Sequence, residues 1–256
     1  NATNGGKVIA VERSDSAGKY AMAVWLAGEN STLTINGGEF SQEITHTDDP
    51  QMDMIYTSKG VITINGGTFH SGTPKWTLNI KDSAYKDGSA NIIVNGGTFV
   101  GYDPRNAENE GKGTSLVAEG VGVDANSDGS FTAKSGMVAQ IVDAEGKSVA
   151  AYATLAEAVT AAQNDQTIKL LANIELTGCQ TIDDKTLTID LNGYNISLNE
   201  YLTAIWLKSG NLTIQDTSAN ESGKVDGGYL GIYVDTNATL TVTSGTVYGG
   251  ANAVSN

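Results

Sequence analysis

Short runs of alternating apolar and polar residues recur along the chain. In "ITI", Ile62 and Ile64 fall on one side and Thr63 on the other, and "LTI" at 33–35 and 212–214 repeats the pattern. Successive side chains of a strand point to opposite faces, so each run predicts a strand with one buried and one wet face. Three of these runs lead into the same tripeptide, as "LTINGGEF" (33–40), "ITINGGTF" (62–69) and "IIVNGGTF" (92–99). The first glycines, Gly37, Gly66 and Gly96, are spaced by 29 and 30 residues. Each copy is preceded by a further short strand, "AVWL", "MIYT" or "LNIK". The second half uses the same two-strand grammar more loosely, in "KTLTIDLNGYNISL" (185–198), "AIWLKSGNLTIQD" (204–216) and "GIYVDTNATLTVTSGTV" (231–247). A strand-built period of roughly 20–30 residues indicates a solenoid.

Asn-Gly after an alternating strand is also the strongest short-range hairpin signal. Here the second arm is only "GTF" or "GEF", and a hairpin so short is marginal alone. The strict recurrence is unexplained by hairpins. As a corner, Asn-Gly-Gly supplies backbone angles that asparagine and glycine tolerate best. Asparagines on successive coils could then share amide hydrogen bonds. The corner is the favoured reading.

One segment departs from the strand pattern. In "YATLAEAVTAAQNDQT" (152–167), Leu155, Val159 and Ala162 make one helical stripe, and Thr154 with Glu157 forms a T-x-x-E capping box. This predicts a helix over 153–164, ahead of the buried-strand sequence "TIKLLANIEL". A solenoid end exposes apolar side chains and unpaired backbone. The helix is therefore read as a cap on a second coil stack. Two consecutive units follow, 1–135 and 136–256. The first is closed by a hairpin in "SLVAEGVGVDANSDGSFTAKS", with Asp128-Gly129 at its tip.

Composition agrees with many short strands and tight corners: 31 glycines and 3 prolines in 256 residues. The formal charge is −14, and Arg13 and Arg105 are the two arginines. No basic stripe is present, so nucleic acid and anionic membrane are poor partners. No apolar run reaches about 18 residues, so no membrane insertion is expected. Cys179 is the single cysteine, expected as a small buried apolar residue. The start at "NATNGGKVIA" and the stop at "TVYGGANAVSN" read as the interior of a longer protein, with the far end expected to be covered there or by a neighbouring molecule.

On "TINGGTF" (63–69), "VNGGTFVGYDPRN" (94–106), "LVAEGVGVDANSDGSFTA" (116–133), "YATLAEAVTAAQNDQTIKLLANIEL" (152–176) and "LTIDLNGYNI" (187–196), the chain resembles the pectate-lyase-like, right-handed parallel β-helix superfamily. More narrowly, it resembles repeat segments of large surface proteins from gut Firmicutes and related bacteria. The resemblance implies an all-β right-handed parallel β-helix in two units with one short capping α-helix. It also implies export, to the cell surface or as a secreted protein.

The catalytic equipment of the superfamily is missing from the sequence. His46 and His70 do not lie in Gly-His-Gly, and there is no Arg-x-Lys. The pairs Asp48-Asp49 and Asp183-Asp184 put adjacent side chains on opposite faces, the second in a turn-like "TIDDKTL". No catalytic residue is assigned. Asp124, Asn126 and Asp128 match the first half of a calcium loop, but Ser135 stands where a bidentate glutamate is required. An Asp-Gly hairpin turn explains that stretch better, which leaves calcium a minor cofactor candidate. Trp25, Tyr56, Trp206 and Tyr233 share one place in their units and point outward if their neighbours point inward. In register they would form flat aromatic pairs, either packing locally or stacking sugar rings.

The expected function is a non-catalytic extracellular stalk or adhesin scaffold that presents a face to a host or dietary glycan, or to a host surface protein. The alternative is a carbohydrate-binding or polysaccharide-degrading module of the same fold.

Overall fold

The computed structural model describes residues 6–15, 18–45, 52–111, 113–199 and 201–255. The chain divides into two compact units, residues 1–135 and 136–256. Each is built on parallel stacked coils, a β-solenoid.

The first unit runs through β1 (Lys7–Val11), β2 (Arg13–Asp15), β3 (Gly18–Tyr20), β4 (Val24–Leu26), β5 (Thr32–Glu43), β6 (Ile55–Thr57), β7 (Gly60–His70), β8 (Leu78–Ile80), β9 (Ala90–Val94), β10 (Gly97–Val100), β11 (Val121–Ala125) and β12 (Ser130–Ser135). β4, β6 and β8 form one parallel sheet. β5 and β7 pair in parallel along both arms of the Asn-Gly-Gly motif, with Ile35 opposite Ile64 and Phe40 opposite Phe69. The third copy splits at the corner into β9 and β10, both parallel to β7. The motif is therefore a corner and not a hairpin.

Its chemistry follows from its spacing. Asn65 Nδ2 donates to Asn36 Oδ1 at 2.8 Å, and Asn95 Nδ2 to Asn65 Oδ1 at 2.9 Å. The second glycines, Gly67 and Gly97, have φ of 120° and 115°. A Cβ on Gly96 would lie 2.4 Å from the carbonyl oxygen of Asn65, too close for any side chain. Just past the corner, Phe40, Phe69 and Phe99 stack inside the coil at centroid spacings of 5.0 and 4.9 Å. β12 then lies antiparallel on β10, with Phe131 opposite Phe99, and pairs antiparallel with β11. That hairpin closes the apolar core of the unit.

The second unit opens with β13 (Ala139–Val142) and β14 (Ser148–Tyr152), an antiparallel pair. It continues through β15 (Thr167–Leu170), β16 (Ile174–Glu175), β17 (Gln180–Ile182), β18 (Lys185–Asp190), β19 (Asn195–Leu198), β20 (Thr203–Gln215), β21 (Lys224–Gly227), β22 (Leu230–Val242), β23 (Thr246–Gly249) and β24 (Asn252–Ser255). β15, β18, β20, β22 and β24 stack in parallel on one face, and β16, β19, β21 and β23 on another. Its corners use carboxylates in place of asparagines. Asp190 accepts from Asn192 N, Thr217 N and Thr217 Oγ1, and Asp216 from Gly193 N, Ser218 N and Gly223 N. Both carboxylates are buried and fully hydrogen-bonded, which is what makes burial of a charge tolerable.

The cap helix, α2, spans Leu155–Ala161, shorter than the predicted 153–164. Thr154 is already extended and both hydrogen bonds of the capping box form. At the far end Ala162 leaves the helical region, and Lys185 Nζ donates to the carbonyls of Thr160 and Ala162. Leu155, Ala158, Val159 and Ala162 enter the core of the unit.

Two expectations are corrected. A second α-helix, α1 (Asp82–Asp87), joins β8 to β9, so the capping helix is not alone. Six residues with Ala84 alone buried carry no helical stripe, although Gly88 ends the helix in the left-handed conformation. Cys179 is exposed instead of buried, because it lies in the turn between β16 and β17.

Candidate functional site

In the first unit, alternation along β4, β6 and β8 sets three side chains in one outward row. Trp25 lies opposite Tyr56, and Tyr56 opposite Asn79. The inward neighbours Ile55, Leu78 and Ile80 are fully buried. Trp25 is 66% exposed, and its indole N–H donates to Ser58 Oγ at 3.2 Å. Tyr56 is half-buried and Asn79 is buried.

Carboxylates that the sequence reading passed over surround this row. Asn79 Nδ2 donates to Asp53 Oδ1 at 2.8 Å. Glu110 Oε1 accepts from Ile80 N at 2.8 Å, taking the place of a further strand at the β8 edge. Burial pushes the Asp53 carboxyl above its usual range, against the lowering effect of the Asn79 bond. Burial also raises Glu110, with Asp82 and Asp53 adding to the shift against the bond from Ile80 N. The Tyr56 phenol is raised by burial first and then by Asp53, Asp82 and Glu110. Among the described residues, buried Glu110 Oε2 and the buried hydroxyl of Tyr102 find no hydrogen-bond partner. Asp53 lies two residues before β6, Asp82 opens α1 and Glu110 ends a short turn, Glu108–Glu110. No fixed spacing joins them, so the fold alone brings them together.

In the second unit, Trp206 and Tyr233 are opposite each other, as expected. Their rings are edge-on, 6.2 Å apart at 62°, not the flat pair predicted. Trp206 Nε1 is held by Asp235 Oδ2 at 3.0 Å, and Lys208 Nζ sits 4.7 Å from the ring centre. The flatter exposed pair is Tyr201 with Tyr229, 6.0 Å apart at 29° and 86% and 44% exposed. Its signal was the repeated "YL" at the start of each long strand of this unit, in "YLTAIW" and "YLGIYV".

The half-loop residues serve the β11–β12 hairpin. Asp128 Oδ1 accepts from Ser130 N and Oγ. Asn126 Nδ2 donates to Ser130 Oγ and Thr132 Oγ1, and Asp124 pairs with Lys134. Among the described residues, no three His, Cys, Asp or Glu side chains are grouped to hold a metal ion. Asp183 and Asp184 form a turn around Ser209: Ser209 Oγ donates to Asp183 Oδ1 and accepts from Asp184 N. His70 is exposed at the end of β7, opposite Ser41. His46, Asp48 and Asp49 lie outside the described residues. Arg105 grips Asp103 through Nε and NH2, which pins its own loop.

No described helix is long and apolar enough to cross a membrane. Comparison of the chain with protein-family models, curated proteins and solved structures gave no match.

Proposed function

We propose that this chain is a non-catalytic segment of an extracellular bacterial protein, a solenoid scaffold whose outward aromatic face binds a glycan. The observation that carries this reading is Trp25. A large ring is held out from a rigid strand with its N–H fixed, in a row with Tyr56 and with the Asn79–Asp53 pair. Aromatic faces take the apolar side of a sugar ring, and a carboxylate or amide beside them accepts or donates to its hydroxyls. In the second unit Tyr201 and Tyr229 offer a comparable surface.

An array of plant and mucin glycans tests the proposal. Binding that weakens about tenfold or more in Trp25→Ala supports it. An array without binding, or binding indifferent to Trp25→Ala and Tyr201→Ala, refutes it.

A second reading is favoured by the raised carboxyls of Asp53 and Glu110. Carboxyls held above their usual range are what general acids require. Under that reading the face degrades the polysaccharide it binds. Turnover that is lost in Asp53→Asn and Glu110→Gln would establish it in place of the first.

A further inference from the structure

The Trp25 row is bordered by negative charge. Tyr56 lies opposite Trp25 on one side and Asn79 on the other. Asp53 accepts from Asn79 Nδ2, and Glu110 Oε1 accepts from Ile80 N, one residue further along β8. Asp82 is exposed and stands two residues after β8. Three separate connections thus deliver three carboxylates to the aromatic row. The charges acting on the Tyr56 phenol are Asp53, Asp82 and Glu110, and those acting on Glu110 are Asp82 and Asp53. Neighbouring lysines are engaged elsewhere. Lys59 pairs with Glu29, Lys59 and Lys81 act on Asp87, and Lys75 lies over the Trp76 ring.

A second observation calls for a positive donor at this place. Glu110 Oε2 is buried with no hydrogen-bond partner among the described residues, and so is the hydroxyl of Tyr102, a side chain only 5% exposed. Glu110 and Asp103 are the charges that act on that hydroxyl. A carboxylate oxygen without a donor is costly where water is excluded, and a cation beside it offsets that cost.

A sugar stacked on Trp25 therefore meets carboxylates at its rim. An ammonium on the sugar ring answers them with charge-assisted hydrogen bonds, and aromatic faces attract a cation as well. A uronate or sulfated sugar brings like charge and is repelled. A neutral sugar gains the aromatic contact alone.

We infer that the glycan taken by the Trp25 face is cationic, a polymer containing unacetylated amino sugars. The inference rests on the glycan-binding role proposed above.

Calorimetry on the full chain at about pH 6, below the usual range of an amino group, tests it. The probes are a glucosamine oligomer, its N-acetylated counterpart and a galacturonate oligomer. The glucosamine oligomer should bind about tenfold or more tighter than the N-acetylated one and weaken with added salt, and the galacturonate oligomer should not bind. Asp82→Asn, at an exposed site, should weaken glucosamine binding about two- to fivefold, and Asp53→Asn about tenfold. Equal or tighter binding of either other oligomer overturns the inference. So does glucosamine binding that is indifferent to Trp25→Ala or to both carboxamide variants, or an oligolysine that binds the same face as tightly. If none of the three probes binds while the array yields a ligand that depends on Trp25, this inference falls and the glycan reading stands. Silence in both removes both. The wild-type comparison of the three probes holds even where a variant misfolds.

Discussion

Phe69→Ala is the sharpest probe of coil-on-coil stacking in the first unit. Phe69 is fully buried between Phe40, 5.0 Å away at 14°, and Phe99, 4.9 Å away at 7°. Truncating a buried phenylalanine costs about 3–5 kcal/mol from lost transfer energy and the cavity left behind. A stacked pair adds about 0.5–1.5 kcal/mol beyond burial. Phe69 has a parallel ring on each side, so about 4–8 kcal/mol is expected. Phe40 stacks on one ring only and should cost about 0.5–1.5 kcal/mol less when truncated. Urea unfolding followed by circular dichroism measures both. With a slope of about 2 kcal/mol/M, Phe69→Ala should lower the midpoint by about 2–4 M. The double variant gives the coupling, expected at about 0.5–1.5 kcal/mol. Zero coupling, or Phe69→Ala costing no more than Phe40→Ala, would refute the idea that equivalent rings bind one coil to the next.

Three further outcomes are expected. Asn65→Ala breaks two amide bonds of the corner ladder and should cost about 1–2 kcal/mol, whereas Asn95→Ala breaks one and should cost about half as much by thermal melting. Lys185→Met frees the Thr160 and Ala162 carbonyls at the end of α2, with an expected loss of about 1 kcal/mol in urea. Asp53→Asn should raise stability at neutral pH. The folded state holds the Asp53 proton more tightly than the unfolded chain, so this group's contribution is fully present below the unfolded carboxyl value and is lost as pH rises through the folded one. The advantage of the variant should therefore vanish in acid, below about pH 3.9, and a gain that persists there would contradict the burial argument.

The solenoid was legible because its determinants are local and repeated. Ile62 and Ile64 against Thr63 gave a buried face, and the recurrence of Asn65-Gly66-Gly67 gave the corner, where the equivalent Gly96 faces a carbonyl that a Cβ would approach to 2.4 Å. Thr154 and Glu157 marked the cap helix through a contact three residues long. The site was less legible because it is not local. Asp53, Asp82 and Glu110 come from three separate connections and meet at Tyr56 only after β6 and β8 stack. Strand register put Trp206 opposite Tyr233, but ring tilt depends on the side-chain contact with Asp235. Tyr201 and Tyr229 stand in turns, where alternation carries no signal.

The central claim is that the outward face binds a glycan and leaves it intact. The proton spectrum of an array-positive oligosaccharide, followed over days with the protein present, tests both parts at once. Broadened sugar-ring signals, relieved in Trp25→Ala, and an anomeric region that stays constant are expected. New anomeric or unsaturated-sugar signals, or ring signals that never broaden, would contradict it.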